Sequence, residues 1–130
     1  MSSYTLTLTA RQAAEISRAC EVLARLQMGQ IDMALRELPL ASYLDYDAQR
    51  MIESILQPLY DDGGKRHDSI AWDLYQVVRH RLAWDRAIER GEIGPGERRR
   101  WPEMMGVCYD EPMQRGSEPL ARIERAGGEQ

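Results

Sequence analysis

One segment restricts the fold more than any other, because its apolar side carries an acid and a base. At about 100° per residue, residues 70–88 scan as one helix. Its apolar side consists of Ile70, Leu74, Val77, Val78 and Ile88, flanked by Ala71 and Leu82. Arg81 and Asp85 fall in the middle of that side, one turn apart. Burying both charges is costly unless they pair and hydrogen-bond, so the pair serves fold specificity, an interface or a polar ligand.

The first third of the chain predicts a strand followed by two helices. Residues 4–9 alternate apolar and Thr side chains, which is typical of a short, half-buried strand. Thr9 then caps a helix and forms a capping box with Gln12. The apolar residues of this helix recur at helical spacing up to Gly29, and a second helical run over 31–37 stops before Pro39.

The middle of the chain predicts two further helices. We expect Asp47 to cap the first of them. The predicted buried stripe of that helix consists of Met51, Ile52, Ile55, Leu56 and Leu59. Residues 61–64, with the sequence DDGG, break the chain before Asp68 or Ser69 starts the long helix described above. Gly91 sits where a helix C-terminus needs a left-handed residue.

The C-terminal third predicts a loop, two strands and a tail. Residues 91–102 are polar and rich in Gly and Pro, so we expect a mobile loop there. Short strands are predicted at 107–109 and 120–125, and a frayed tail at 126–130. The prediction is one domain, 1–130, of the α+β class: a small, mostly antiparallel three-stranded sheet, formed by the N-terminal strand and the two C-terminal strands, packed on three or four helices. Its open strand edges favour a homo-oligomer, a dimer at least.

Charge and composition exclude several classes of protein. The net charge of -4 argues against a general binder of duplex nucleic acid. No segment is apolar enough for a membrane span or a signal peptide. Two isolated thiols, Cys20 and Cys108, suit a reducing cytoplasm. Lys65 is the single lysine among 17 basic residues. This preference for arginine over lysine has two explanations: GC-rich coding, or a need for arginines that bind phosphate or carboxylate in a bidentate manner.

The candidate binding residues concentrate on the long helix. We expect Arg79 or Arg81 to bind phosphate, Tyr75 or Trp84 to stack on a base, and Asp85 to bind a ribose hydroxyl or orient an arginine. The remaining candidate binding residues are His80, which lies beside Trp84, and Arg66, which precedes a helix N-terminus that favours anions. A structural ion pair with a solvated basic face explains the helix residues equally well, and a solvated loop explains Arg66.

No catalytic or metal-binding motif is present. The segment 63–67 does not match the phosphate-binding P-loop pattern, and Cys20, Cys108, His67 and His80 are too scattered for a zinc site. The arginines at 98–100, next to Trp101, form a basic patch that surface charge explains. We therefore predict a protein that is not an enzyme and that uses no cofactor.

Four segments together resemble a family of small proteins of tailed bacteriophages. They are YTLTLT at 4–9, LYQVVRHRLAWDR at 74–86, VCYDEP at 107–112 and SEPLARIE at 117–124. The chain also resembles a Thoeris anti-defence family, whose members are oligomeric sponges for cyclic ADP-ribose isomers, and in some cases cyclic oligonucleotides. The resemblance implies sequestration of a nucleotide immune signal without cleavage, in the cytoplasm of the infected cell. It assigns no binding residue to a position of this chain.

Two functions therefore stand as expectations. In the first, the protein binds a small phosphorylated nucleotide, and Arg79→Ala or Arg81→Ala abolishes binding while the fold stays intact. In the second, the Arg and Trp side chains form a protein interface that inhibits a host protein directly. Hydrolysis of the nucleotide and binding of DNA rank behind both.

Overall fold

The computed structural model describes residues 2–61, 68–94, 112 and 114–127. These described residues form four α-helices: α1 (Ala10–Gln27), α2 (Ile31–Arg36), α3 (Tyr46–Leu56) and α4 (Ile70–Glu89). A short 3-10 helix, Gln57–Leu59, extends α3. None of these helices is long and apolar enough to cross a membrane.

The predicted three-stranded sheet is wrong, because the described residues form helices and irregular segments with no strand. Residues 2–9 precede α1 without pairing, and Tyr4 and Leu6 are 95% and 71% exposed. Residues 120–125 also have no ladder partner among the described residues, and the predicted strand at 107–109 lies outside them. An alternating pattern specifies which side of a strand is apolar, but a strand forms only where a second one satisfies its backbone groups.

The helix ends follow local sequence signals closely. The Thr9 hydroxyl accepts a hydrogen bond from Gln12 N at 3.1 Å, and the Gln12 side chain accepts one from Thr9 N at 2.9 Å, which confirms the capping box. Gly29 and Gly91 have φ angles of +82° and +73° directly after α1 and α4, as their C-terminal positions predict. The predicted cap at Asp47 is wrong: Asp45 caps α3, and its carboxylate accepts from Ala48 N at 2.8 Å.

The core lies between α1 and α4. Helix α1 contributes small side chains, Ala13, Ser17 and Ala24, which allow a close approach of the two helices. The Ser17 hydroxyl donates to the backbone carbonyl of Tyr75 at 3.4 Å. Arg25, which follows Ser17 in α1, lies over Trp72, which precedes Tyr75 in α4. The two helices therefore run in broadly opposite directions.

Helix α4 is buried on several sides rather than along one stripe. Its buried residues are Ala71, Asp73, Tyr75, Val77, Val78, Ala83 and Ala87, which surround the helix axis. The sequence predicts Ile70 and Leu74 as part of the buried side, and this is wrong, since they are 38% and 36% exposed. The reason is that α4 contacts both α1 and the segment 115–117, so its buried surface extends around the helix.

Helix α3 leaves its apolar side uncovered among the described residues. Its predicted buried stripe is wrong: Met51, Ile55 and Leu59 are 66%, 62% and 75% exposed, and Leu56 is also exposed. Only Ile52 of that stripe is half-buried. Gln57 ties this part of the chain to the end of α1, since its side-chain amide donates to Gly29 O at 2.6 Å.

The predicted single domain remains a prediction. The predicted loop at 91–102 is described at 91–94, where Ile93 is buried. The predicted tail at 126–130 is described at 126 and 127.

Candidate functional site

The predicted helix residues form three pairs that point in different directions. Tyr75 pairs with Arg79, His80 with Trp84, and Arg81 with Asp85. Each pair is spaced i,i+4 and shares a side of α4. At about 100° per residue, the three pairs lie roughly 100° to 140° apart around the helix. One small ligand therefore cannot contact all three pairs on one copy of α4. Arg66 lies outside the described residues.

Arg81 and Asp85 are joined by one hydrogen bond and one close electrostatic contact. Arg81 Nε donates to Asp85 Oδ2 at 3.2 Å, and Arg81 Nη2 lies 2.9 Å from Asp85 Oδ1. Oδ1 is buried, and the angle of the Nη2 contact is not that of a hydrogen bond, so this second contact is purely electrostatic. Both side chains are 16% exposed. Two charges that lie this close together and this far out of water favour a structural role over a ligand-binding role.

His80 and Trp84 also engage one another. The indole N–H of Trp84 donates to His80 Nε2 at 3.1 Å, and the ring centroids are 6.1 Å apart. As acceptor, Nε2 carries no proton, so the neutral ring has its proton on Nδ1. The indole N–H is therefore already used within the chain.

The third pair belongs to a larger set, which we call the aromatic–guanidinium cluster: Glu21, Arg25, Trp72, Tyr75, Arg79 and Arg115. Trp72, Tyr75 and Arg79 share one side of α4 because they are spaced three and four residues apart. Helix α1 adds Glu21 and Arg25, and the C-terminal segment adds Arg115. The cluster thus joins three parts of the chain that are distant in sequence.

Its geometry is a chain of rings and guanidinium groups. The Trp72 and Tyr75 rings meet edge to face, with centroids 5.4 Å apart and an interplanar angle of 71°. Two guanidinium groups lie over Trp72, those of Arg25 at 5.6 Å and Arg115 at 5.4 Å from the ring centroid. The Arg79 guanidinium lies 5.6 Å from the centroid of Tyr75. Such contacts are cation–π interactions, which strengthen as the groups leave water.

The cluster contains one carboxylate, that of Glu21, which pairs with Arg25. The Glu21 carboxylate accepts from Arg25 Nε and Nη2, both at 3.2 Å. Burial raises the pKa of Tyr75 above its ordinary value, with Arg79 opposing and Glu21 adding to the effect. The phenol therefore stays neutral at physiological pH. Within the described residues no carboxylate pairs with the Arg115 guanidinium, and the six side chains of the cluster comprise three guanidinium groups and one carboxylate.

Sequence reasoning identified only Tyr75 and Arg79 of this cluster. The spacing of Trp72, Tyr75 and Arg79 was a usable signal, since all three project from one side of the same predicted helix. Arg25 and Arg115 reach the cluster through tertiary contacts, which no local pattern in the sequence reveals.

The described residues hold no group of three or more His, Cys, Asp or Glu side chains arranged for a metal ion. In comparisons with known proteins, no family model, no curated protein and no solved structure matches this chain.

Proposed function

We propose that the protein binds a small phosphorylated nucleotide at the aromatic–guanidinium cluster and sequesters it without cleaving it. The observation that carries the proposal is the concentration of three guanidinium groups on two aromatic rings, with one carboxylate among them. A nucleotide offers the complementary chemistry, an anionic phosphate and a flat base. Arginine binds phosphate through two parallel N–H groups, and aromatic rings stack on bases.

Individual roles follow from the neighbours of each side chain. Arg25 is engaged by Glu21 and Gln30, so its role is to hold Trp72 in place. Arg115 is exposed and its guanidinium lies over Trp72, which makes it the first phosphate ligand that we expect, with Arg79 as the second. Trp72 supplies the stacking surface. Net acidity is no obstacle, because a compact anion responds to the local field.

The fuller form of the proposal rests on the resemblance. It makes the protein a phage anti-defence sponge in the cytoplasm of an infected bacterium, with a cyclic ADP-ribose isomer or a cyclic oligonucleotide as its ligand. Sequestration requires only tight binding of an intact ligand, which suits a site built from stacking and charge pairing.

Native mass spectrometry tests this proposal. The purified protein is mixed in turn with cyclic ADP-ribose isomers and with cyclic di- and trinucleotides. We expect a stoichiometric complex that Arg115→Ala and Arg79→Ala weaken and that releases intact nucleotide on heating. Arg122→Ala is the matched control, because Arg122 is an exposed arginine of the same C-terminal segment that pairs with Glu124. Recovery of cleaved nucleotide would instead indicate an enzyme.

A second candidate function is direct inhibition of a host protein, and the exposed stripe of α3 favours it. Met51 and Ile55, one turn apart on α3, and Leu59 in the 3-10 helix that follows present large, exposed apolar side chains, which is typical of helix-mediated recognition. The discriminating assay is rescue of phage infection in bacteria that carry a TIR-domain signalling defence. Met51→Glu with Ile55→Glu abolishes rescue if the protein acts through this stripe, whereas Arg115→Ala abolishes it if the protein is a sponge.

A further inference from the structure

The C-terminal segment is attached to the start of α4 by two aspartates. Asp73 Oδ1 accepts from Arg115 N at 2.8 Å, and Asp73 Oδ2 accepts from Gly116 N at 2.7 Å. Asp68 accepts from Ser117 N at 2.9 Å and also from the Ser117 hydroxyl. Three successive backbone N–H groups therefore point at two carboxylates that lie five residues apart.

Asp73 is the buried member of this attachment, at 6% exposure. A buried carboxylate needs strong partners, and both of its oxygens receive short, charge-assisted hydrogen bonds. Its position in the first turn of α4 also suits a negative charge. The fold thus leaves a carboxylate in its interior whose recorded side-chain bonds both go to this distant segment.

Gly116 lets the segment approach closely. A Cβ atom at this position would lie 2.9 Å from an oxygen of Asp68, 2.9 Å from an oxygen of Asp73 and 3.0 Å from Ile70 N. Backbone at Ile70 cannot move aside as a flexible side-chain end could. Any larger residue at 116 therefore pushes the segment away from α4.

Arg115, whose backbone Asp73 holds, also supplies the exposed guanidinium group of the aromatic–guanidinium cluster. Arg115 donates its backbone N–H to Asp73, and its side chain reaches Trp72, one residue before Asp73. Holding the backbone of Arg115 removes most of the freedom that its guanidinium group would otherwise have relative to Trp72. A ligand that needs both groups then meets a site that is already organised.

We propose that Asp73 is the positioning residue of the nucleotide site, and that docking of the segment 115–117 and ligand binding are coupled. This inference rests on the proposed function. By linkage, the factor by which docking strengthens ligand binding equals the factor by which the ligand strengthens docking.

The test combines a measurement on the segment with one on the ligand. Trypsin cleaves after Arg115, and mass spectrometry follows that cut against the cut after Arg36, which reports on a distant part of the chain. We expect Asp73→Asn to accelerate cleavage after Arg115 by about tenfold or more, because the Asn amide can no longer accept from both N–H groups. We expect the same substitution to weaken binding of cyclic ADP-ribose isomers or cyclic dinucleotides by about tenfold.

Gly116→Ala is the second variant, because it disturbs docking by a change in the segment 115–117 and leaves the carboxylates of Asp68 and Asp73 in place. Asp47→Asn is the matched control: Asp47 is also a first-turn helix aspartate, in α3, and it holds no other segment of the described residues. Unchanged cleavage and unchanged affinity in Asp73→Asn and Gly116→Ala overturn the inference.

The wild-type protein gives an independent test if a variant does not fold. Saturating nucleotide should slow cleavage after Arg115 and leave cleavage after Arg36 unchanged, and equal protection at both sites contradicts the coupling. Failure of the proposed function is distinguishable: the wild-type protein then binds no nucleotide of the panel, whatever the variants do to the cleavage of the segment.

Discussion

The ion pair of Arg81 and Asp85 gives a quantitative test of its structural role. Both side chains are 16% exposed, and two contacts of 3.2 and 2.9 Å join them. Arg81→Met removes the cation, keeps a similar length and leaves the buried Oδ1 of Asp85 without its electrostatic partner. Breaking a buried pair costs about 3–5 kcal/mol, and breaking an exposed one about 0.2–1 kcal/mol. For this nearly buried pair we expect a loss of about 2–3 kcal/mol.

The partner substitution has a smaller expected effect. After Asp85→Leu, the long Arg81 side chain can extend its guanidinium toward water, so we expect a loss of about 1 kcal/mol. The double variant carries Met and Leu on a side of α4 that already presents Ile70 and Leu74. It should regain most of the lost stability, because an apolar pair replaces an ion pair at little cost.

Urea unfolding followed by circular dichroism at the four corners of this cycle gives the coupling free energy. We expect about 2 kcal/mol, and a fall in Tm of about 10 °C for Arg81→Met in a domain of this size. The folded double variant should bind nucleotide like the wild type, because the pair lies on a different side of α4 from the aromatic–guanidinium cluster. Additive single effects, with coupling below about 0.5 kcal/mol, refute a structural pair.

Three further predictions concern other parts of the chain. Burial raises the pKa of Tyr75, so its neutral form stabilises the fold below the ordinary tyrosine pKa, and this contribution is lost as pH rises through the raised pKa. Ultraviolet titration should show one tyrosine that ionises later than the others and that disappears in Tyr75→Phe. A titration curve that Tyr75→Phe leaves unchanged contradicts this. The stripe of α3 predicts a dimer by light scattering that Met51→Glu with Ile55→Glu converts to monomer, whereas a monomeric wild type favours the stripe as a surface for a host protein. Thr9→Ala should lower the free energy of unfolding by about 1 kcal/mol through loss of the capping box, and a stability equal to that of the wild type in urea excludes this.

Local signals in the sequence were sufficient for the start of α1 and for the C-terminal ends of α1 and α4. Thr9 and Gln12, three residues apart, cap α1. Gly29 and Gly91 adopt a positive φ, which residues with a side chain rarely adopt. These features depend on neighbours within one turn, so the sequence displays them directly.

Whether the predicted strands pair into a sheet could not be determined from local signals. Alternation at 4–9 is compatible with a strand, but a strand needs backbone partners from elsewhere in the chain. In the described residues no such partner is present, and Tyr4 and Leu6 remain exposed. The apolar stripe of α3 failed for a related reason, because periodicity states which side of a helix is apolar and not what covers it.

The candidate site was predictable in part. The sequence pointed to α4 as the helix with the informative charges, and Tyr75 and Arg79 belong to the cluster. Asp73 was missed because a single acid near a helix N-terminus is ordinary, and only the docking of Arg115 and Gly116 gives it a special role.

The binding claim is tested most directly by the indole N–H signals of the three tryptophans in a nitrogen–proton NMR spectrum, assigned with Trp72→Phe and Trp84→Phe. Cyclic ADP-ribose isomers and cyclic dinucleotides are titrated separately into the labelled protein. The account predicts that the Trp72 signal moves in a saturable manner while the Trp84 signal, from the indole hydrogen-bonded to His80, stays in place. Movement of the Trp84 signal alone, or of neither signal with any nucleotide, would contradict a nucleotide site at the aromatic–guanidinium cluster.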